Sequence, residues 1–542
     1  MKLTLSSKTI LIIDDYPVMR KSMKDMLYGL GAQYIFEAEN GLAALAAMKK
    51  QKFDFILCDY NLGDGKNGQQ VLEEVRYKKL ISHHSVFIIV SAHQSAIDVL
   101  CTIENKPDEY LAKPFNAQQL LRRLEKSFIR KHHFSAIEKA IDNNNFASAI
   151  YLCDKAINAN NKSTYSTLLK LRAELAIITG DYEKAGIIYN ATLAKRDLNW
   201  ARLGLGIIAY HQDDFKQATQ LFQELIEQNP MLMECYDWLT KSYEALDKTL
   251  DAENTLNRAV NISPQSLIRQ KKLANLAEKT GHIDLAETTY KAITDLGKFS
   301  MHQSPSDFSG LAKIYSKKNK NQEALQTIDS MRQQFINNQE SELRAATIET
   351  MVYQDIGEKK LSELAFQKVN ALKNTLKNKT PKDLQLDIAK AYYLNDDNKT
   401  ADQIIASLIK NHIEDNSFIN DIRQMQNDIG QNNYSEVLIQ QTKQQLIDIN
   451  NQGVTLFQQG QLKEAFLLFE QAIEKMPNNK TILLNMAKIT IHDLKLSGIT
   501  EANLLLANRY INRAKQAGVA KEKLGNLQLE FEKLINTPPP LV

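Results

Sequence analysis

The first 125 residues alternate between short apolar runs and amphipathic stretches. TILIID, YIFEAE, FDFILCD, SVFIIVSA and EYLAKPF are rich in β-branched and aromatic residues, which favours strands over buried helix segments. Each run precedes a segment with helical spacing, such as VMRKSMKDMLYGLG after the first and GQQVLEEVRYKKL after the third. Five such units predict a doubly wound α/β domain, a parallel sheet covered by helices on both faces. From about residue 135 the strand pattern stops. The rest reads as helices broken by short turns of Gly, Asp or Asn, so an all-α region is expected.

That region is periodic. A short motif ends at Ala185, Ala218, Ala252, Ala286 and Ala324, in steps of 33, 34, 34 and 38 residues, with weaker copies at Ala149, Ser362, Ala401 and Ala465 and a degenerate one at Ser435. Four residues beyond the anchor stands a large apolar residue: Tyr189, Phe222, Leu256, Tyr290, Phe366 or Phe469. A small residue with a large one a turn later lets two helices approach closely and interlock. Pro230, Pro264 and Pro477, twelve past their anchors, end a helix pair. The pattern resembles the tetratricopeptide repeat, a helix hairpin of about 34 residues. The resemblance implies a helical solenoid whose concave surface binds protein partners.

At 542 residues the chain exceeds what one core serves. With 67 basic and 64 acidic residues the net charge is +3, which gives no reason to expect a nucleic-acid or membrane partner. Cys58, Cys101, Cys153 and Cys235 are far apart and lack metal-type spacing, so they are expected to be reduced thiols. No apolar run reaches the roughly 18 residues of a spanning helix, and the N-terminus reads as neither leader nor anchor. A cytoplasmic protein is expected.

In a doubly wound sheet, sites form outside the carboxyl ends of the strands. Asp14 and Asp15 end the first strand, Asp59 the third and Ser91 the fourth, while Lys113 follows the fifth. Carboxylates gathered there repel; a pair at 4 Å costs about 4 kcal/mol at an effective dielectric of 20. Mg²⁺, which takes oxygen ligands with water and phosphate, would remove that cost. A carboxylate beside it can attack phosphorus, and Ser91 and Lys113 can hold phosphoryl oxygens.

Residues 8–125, through LIIDDYP, FILCDYN, IIVSA and YLAKPF, closely resemble the receiver domain of bacterial response regulators. The resemblance implies strand order 2-1-3-4-5, Asp59 as phosphoacceptor, Mg²⁺ on Asp14, Asp15, Asp59 and the Asn61 backbone carbonyl, and Ser91 and Lys113 on the phosphoryl group. It also implies Ser91 and Tyr110 as switch residues and a readout face at Ser95–Asn105, Asp108–Leu111 and Ala117–Ile129. Phosphorylation would come from a sensor histidine kinase, followed by slow self-dephosphorylation, with no other enzymatic activity. A homodimer through the readout face is compatible with the family. The sequence departs at the loop after Asp59. Gly63 stands where the family usually has proline, and Gly68 comes nine rather than eight residues after the phosphoacceptor. The loop is longer and less rigid than usual.

The expected division is a receiver at 1–127, a helical connector at 128–140, repeats at 141–480, capping helices at 481–535 and a disordered tail at 536–542. No cyclic-nucleotide synthase or phosphodiesterase motif and no P-loop is present. The leading expectation is a response regulator whose array is a protein-interaction output. The alternatives are a phosphate sink or kinase-modulating adaptor, and nucleic-acid binding by the array.

Overall fold

The computed structural model of the chain describes residues 3–92, 107–159, 164–376, 380–430 and 434–536. The helix expected at Ser95–Asn105, with Cys101, and residues 537–542 lie outside them. Five parallel strands, β1 (Thr9–Ile13), β2 (Tyr34–Ala38), β3 (Phe55–Asp59), β4 (Val86–Ser91) and β5 (Glu109–Ala112), pair in the order β2-β1-β3-β4-β5. Helices α1 (Pro17–Gly29), α2 (Gly41–Lys50) and α3 (Gly68–Tyr77) fill the crossovers between the first four.

The alternation of side chains across the strands divides the core into two layers. Ile10, Ile12, Phe55, Leu57, Ile88 and Val90 pack with Met23 and Leu27 of α1 and with Leu120 and Leu124. Leu11, Ile13, Ile56, Cys58, Phe87 and Ile89 pack with Leu45 of α2 and Val71 and Leu72 of α3. Both faces are covered, which explains continuous rather than alternating apolar runs.

The expected receiver helix and connector form one helix, Ala117–Asp142. Its sequence has no Gly or Pro. It opens on a capping box between Asn116 and Gln119 and ends before Asn144, whose φ is +55°. Arg130 donates to the Asp108 carbonyl at 2.5 Å and Lys131 pairs with the Asp108 carboxylate at 3.1 Å. The same carboxylate accepts from the Phe87 amide at 2.8 Å, so the helix is fastened to the sheet well past its first turns.

Helix hairpins follow to Lys475, then the helices Lys480–Ser497, Glu501–Gln516 and Lys521–Asn536. The chain separates into two compact units: 1–174 with 183–307, and 175–182 with 308–542. Every anchor residue of the repeat, from Ala149 to Ala465 and including Ser362 and Ser435, is buried. Five residues before each stands a left-handed residue: Asn144, Gly180, Asp213, Asp247, Gly281, Asn319, Gly357, Asp396, Gly430 and Gly460. The steps between anchors drift after Ala286 because the helices and the connections between them vary in length, whereas the turn-to-anchor distance stays at five. Gly, Asn and Asp tolerate the left-handed conformation that ends the first helix of each hairpin.

The large residue four beyond the anchor needs space opposite. A Cβ on Gly204 would stand 2.2 Å from the Tyr189 ring, one on Gly206 would stand 2.5 Å from Phe222, and one on Gly453 would stand 2.3 Å from Phe469. Helix Asn199–His211 thus receives a ring from the helix on either side. In the second unit, Arg344 is almost fully buried and bonds Glu340 at 2.8 Å on its own helix and Asp383 at 2.7 Å on helix Lys382–Leu394, tying the two helices together.

These contacts reverse a common expectation. Gly→Ala inside a helix normally stabilises by about 0.5–1 kcal/mol. Gly206→Ala should instead destabilise by about 1–3 kcal/mol, because the Phe222 ring has no free place to go. Gly186→Ala, whose added carbon meets only the Ile208 Cδ1 at 3.9 Å, should be neutral or stabilising. Urea midpoints followed by circular dichroism would show the two variants moving in opposite directions.

Candidate phosphoryl-transfer site

Parallel strands that end together deliver their last residues to one edge. Asp14 follows β1, with its amide bonded to the Ala38 carbonyl at 3.3 Å. Asp59 is the last residue of β3, and its strand neighbour is Val90, one residue before Ser91. Ser91 is buried at the end of β4, and its carbonyl accepts from the Lys113 amide at 2.8 Å. Carboxylate oxygens of Asp14, Asp15 and Asp59 lie within 4.8 Å of one another. The Lys113 ammonium donates to Asp14 Oδ2 at 2.9 Å and pairs with Asp59 Oδ1 at 2.9 Å.

The remaining predicted residues take their places around this core. Asn61 is exposed, two residues beyond Asp59 in the loop. Tyr110 lies in β5 opposite Ile89 and is half-buried against the cluster that holds Cys58 and Phe87. Gly63 has φ +70°, which proline cannot adopt. A Cβ there would stand 3.4 Å from Asp15 Oδ2, so the apex of the loop lies over the acidic site. Gly68 is required by close approach, since its Cβ would fall 2.2 Å from the Asp59 carbonyl oxygen.

Arg20 was not singled out from the sequence. Its guanidinium donates to the carbonyls of Asp14 at 2.7 Å and Asp15 at 3.2 Å. It thereby holds the backbone of the acidic pair from behind. Its position one turn into the helix that follows the pair was the available signal.

The electrostatics are frustrated. Burial raises the pKa of the Asp59 carboxyl, the Lys113 ammonium opposes that rise, and Asp14 and Asp15 add to it. Burial acts against the charge of Lys113, but its bonds to Asp59 and Asp14 prevail and raise its pKa. Asp15 Oδ1 is buried with no hydrogen-bond partner. A three-carboxylate oxygen set carrying a buried, unpartnered acceptor fits a hard divalent cation such as Mg²⁺. Asp14, Asp15 and Asp59 would hold it, and it would neutralise the charge that builds on a transferring phosphoryl group.

A folded-state pKa above the unfolded value means that ionised Asp59 opposes folding at neutral pH; the penalty fades as pH falls through the folded value. Asp59→Asn should therefore stabilise the chain by about 1 kcal/mol at pH 7 without divalent metal, raising Tm by about 2–4 °C. The difference should shrink on acidification, and on adding Mg²⁺, which stabilises only the wild type. Calorimetry at pH 7 and pH 4.5, with and without Mg²⁺, checks both trends.

Residues 10–125 match the response regulator receiver domain, and residues 200–230 and 449–476 each match a tetratricopeptide repeat. Over 121 residues the chain is 34% identical to chemotaxis protein CheY-3 of Vibrio cholerae, covering 22% of this chain and 92% of that protein. It is also 34% identical over 121 residues to chemotaxis protein CheY of Pseudomonas aeruginosa, covering 96% of that protein. A CheY-like receiver domain of known structure from Methanospirillum hungatei is 25% identical and covers 23% of this chain and 96% of that one, with a TM-score of 0.21. The receiver match and the 34% identity to CheY proteins over nearly their whole length place this chain in the response regulator family, with a CheY-like receiver at its N-terminus and tetratricopeptide repeats behind it.

Proposed function

We propose that the receiver accepts a phosphoryl group on Asp59 from a sensor histidine kinase and that the repeat array is its protein-interaction output. The observation that carries this reading is Lys113 bridging Asp14 and Asp59 at 2.9 Å each, with Asp15 beside them. An Asp59 carboxylate oxygen forms the new O–P bond as the P–N bond of a phosphohistidine breaks, and the departing imidazole takes up a proton. Lys113 exchanges one carboxylate for a phosphoryl oxygen, and the Ser91 hydroxyl donates to another. Hydrolysis by water later returns the carboxylate and inorganic phosphate. A divalent metal held by Asp14, Asp15 and Asp59 would offset charge on the phosphoryl group.

Burial of Ser91 beside Asp59 supports its part in a switch, and half-buried Tyr110 in the neighbouring strand is positioned to follow it. The helix Ala117–Asp142, continuous into the first hairpin, supports transmission into the array without a flexible linker. Stacked hairpins present extended surfaces suited to peptides or folded partners. Among the described residues no helix is long and apolar enough to cross a membrane, which is compatible with action in the cytoplasm.

The test is affinity capture from the native host with three baits: wild type, Asp59→Ala and wild type loaded with Mg²⁺ and beryllofluoride. We expect a set of proteins whose recovery differs at least fivefold between the loaded form and Asp59→Ala. Identical recovery with all three baits contradicts a phosphorylation-controlled output.

A further inference from the structure

The loop after the phosphoacceptor does more than border the acidic site. Residues 60–68 form a closed loop: the Gly68 amide bonds the Tyr60 carbonyl at 2.8 Å, and the Tyr60 amide bonds Val90 at 2.9 Å. One limb carries Asn61 and then Gly63 over Asp15. The other carries Lys66, whose ammonium donates to the carbonyl of Phe299, in the segment just past helix Ile283–Gly297 of the array. One turn into α3, Gln70 Nε2 donates to the carbonyl of Leu296 at 3.3 Å.

Lys66 is held along its whole length. Its Cβ lies where a side chain on Gly41 would stand, 2.9 Å away, so its stem packs on the start of α2. Its ammonium also pairs with buried Glu74 at 3.0 Å. Gln70 is equally constrained, because its Oε1 accepts from the Asn67 amide at 3.1 Å in the α3 capping box. The partner surface suits them. The Leu296 carbonyl is among the last of its helix, which lack intrahelical donors and carry the negative dipole end, so the Gln70 amide complements it, while the Lys66 ammonium takes the Phe299 carbonyl just past that end. Beside this contact lies a cavity of about 220 Å³, lined by Gln69, Gln70, Glu73, Asp295 and Lys298 among others. Gln69 Oε1 is buried without a partner. An interface with a polar cavity and an unsatisfied acceptor is fastened at a few points rather than packed solid, and those points decide whether it holds.

We propose that the β3–α3 loop, through Lys66 and Gln70, is an output surface whose partner is the segment Leu296–Phe299 of the same chain. Phosphorylation of Asp59 is then read by the array at this edge, directly through the loop that covers the acidic site. The proposal rests on the receiver switching at Asp59. The extra loop residue and the glycine in place of proline serve it: a longer limb brings Lys66 to the array, and a left-handed glycine lets the apex lie over Asp15.

Hydrogen exchange of the full chain, with and without Mg²⁺ and beryllofluoride, tests it, with loading measured separately by calorimetric titration. In the wild type, loading should change the exchange rates of amides in 296–300 at least threefold. In Lys66→Met/Gln70→Leu, which keeps the apolar stems, loading should still occur, and the rates at 296–300 should match in both states. Loading with unchanged rates at 296–300 in the wild type overturns the proposal, even if residues 126–160 respond through the long helix. So does a double variant that still responds at 296–300. Failure of the wild type to load defeats the switch reading itself, and this inference with it.

Discussion

The Lys113 ammonium between Asp14 and Asp59 is the interaction on which the remainder depends. Three carboxylates at one sheet edge repel, and one lysine just after β5 offsets only part of that repulsion. Removing that lysine would cost about 3–5 kcal/mol, because the carboxylates would be left uncompensated, whereas losing one carboxylate relieves repulsion. The partial compensation is also what makes the edge responsive. In the proposed function, a cation, or a phosphoryl group with its cation, would change the partners available to Lys113, and the strands that supply residues to the edge would feel the change. Parallel order 2-1-3-4-5 brings β1, β3, β4 and β5 to this edge side by side.

Much of this was legible in the chain. The strand-end residues Asp14, Asp59, Ser91 and Lys113 could be placed because a parallel α/β sheet leaves one edge for a site, and the apolar runs located the strands. The repeat was legible through Ala218 with Phe222 and its counterparts. What escaped were the complements of those residues. Nothing local marks Gly204 or Gly206 as seats for aromatic rings that arrive from neighbouring helices; a helical glycine reads only as a weak helix former. The drift after Ala286 obscured the period, although a left-handed Gly, Asn or Asp five residues before the anchor persists to Gly460. Arg20, five and six residues from its partners, and Lys66, whose partner is far along the chain, escaped for one reason. Each bonds main-chain carbonyls, which carry no sequence signature.

The loop after Asp59 acquires a physical meaning from this geometry. Proline would fix φ near −65°, whereas Gly63 takes +70° and lies over Asp15. The receiver thus meets the array in two ways within one compact unit. The helix Ala117–Asp142 leads from β5 into the first hairpin, and the loop limb at Lys66 bonds Phe299, just past helix Ile283–Gly297.

The central claim is that Asp59 is the residue that changes state, with the acidic cluster holding the metal that permits it. Intact-mass spectrometry after incubation with acetyl phosphate tests it most directly. The account predicts one added phosphoryl group, dependent on Mg²⁺, labile to hydroxylamine as an acyl phosphate must be, and absent from Asp59→Ala. Undiminished addition in Asp59→Ala, or no addition to the wild type with Mg²⁺ present, would contradict it.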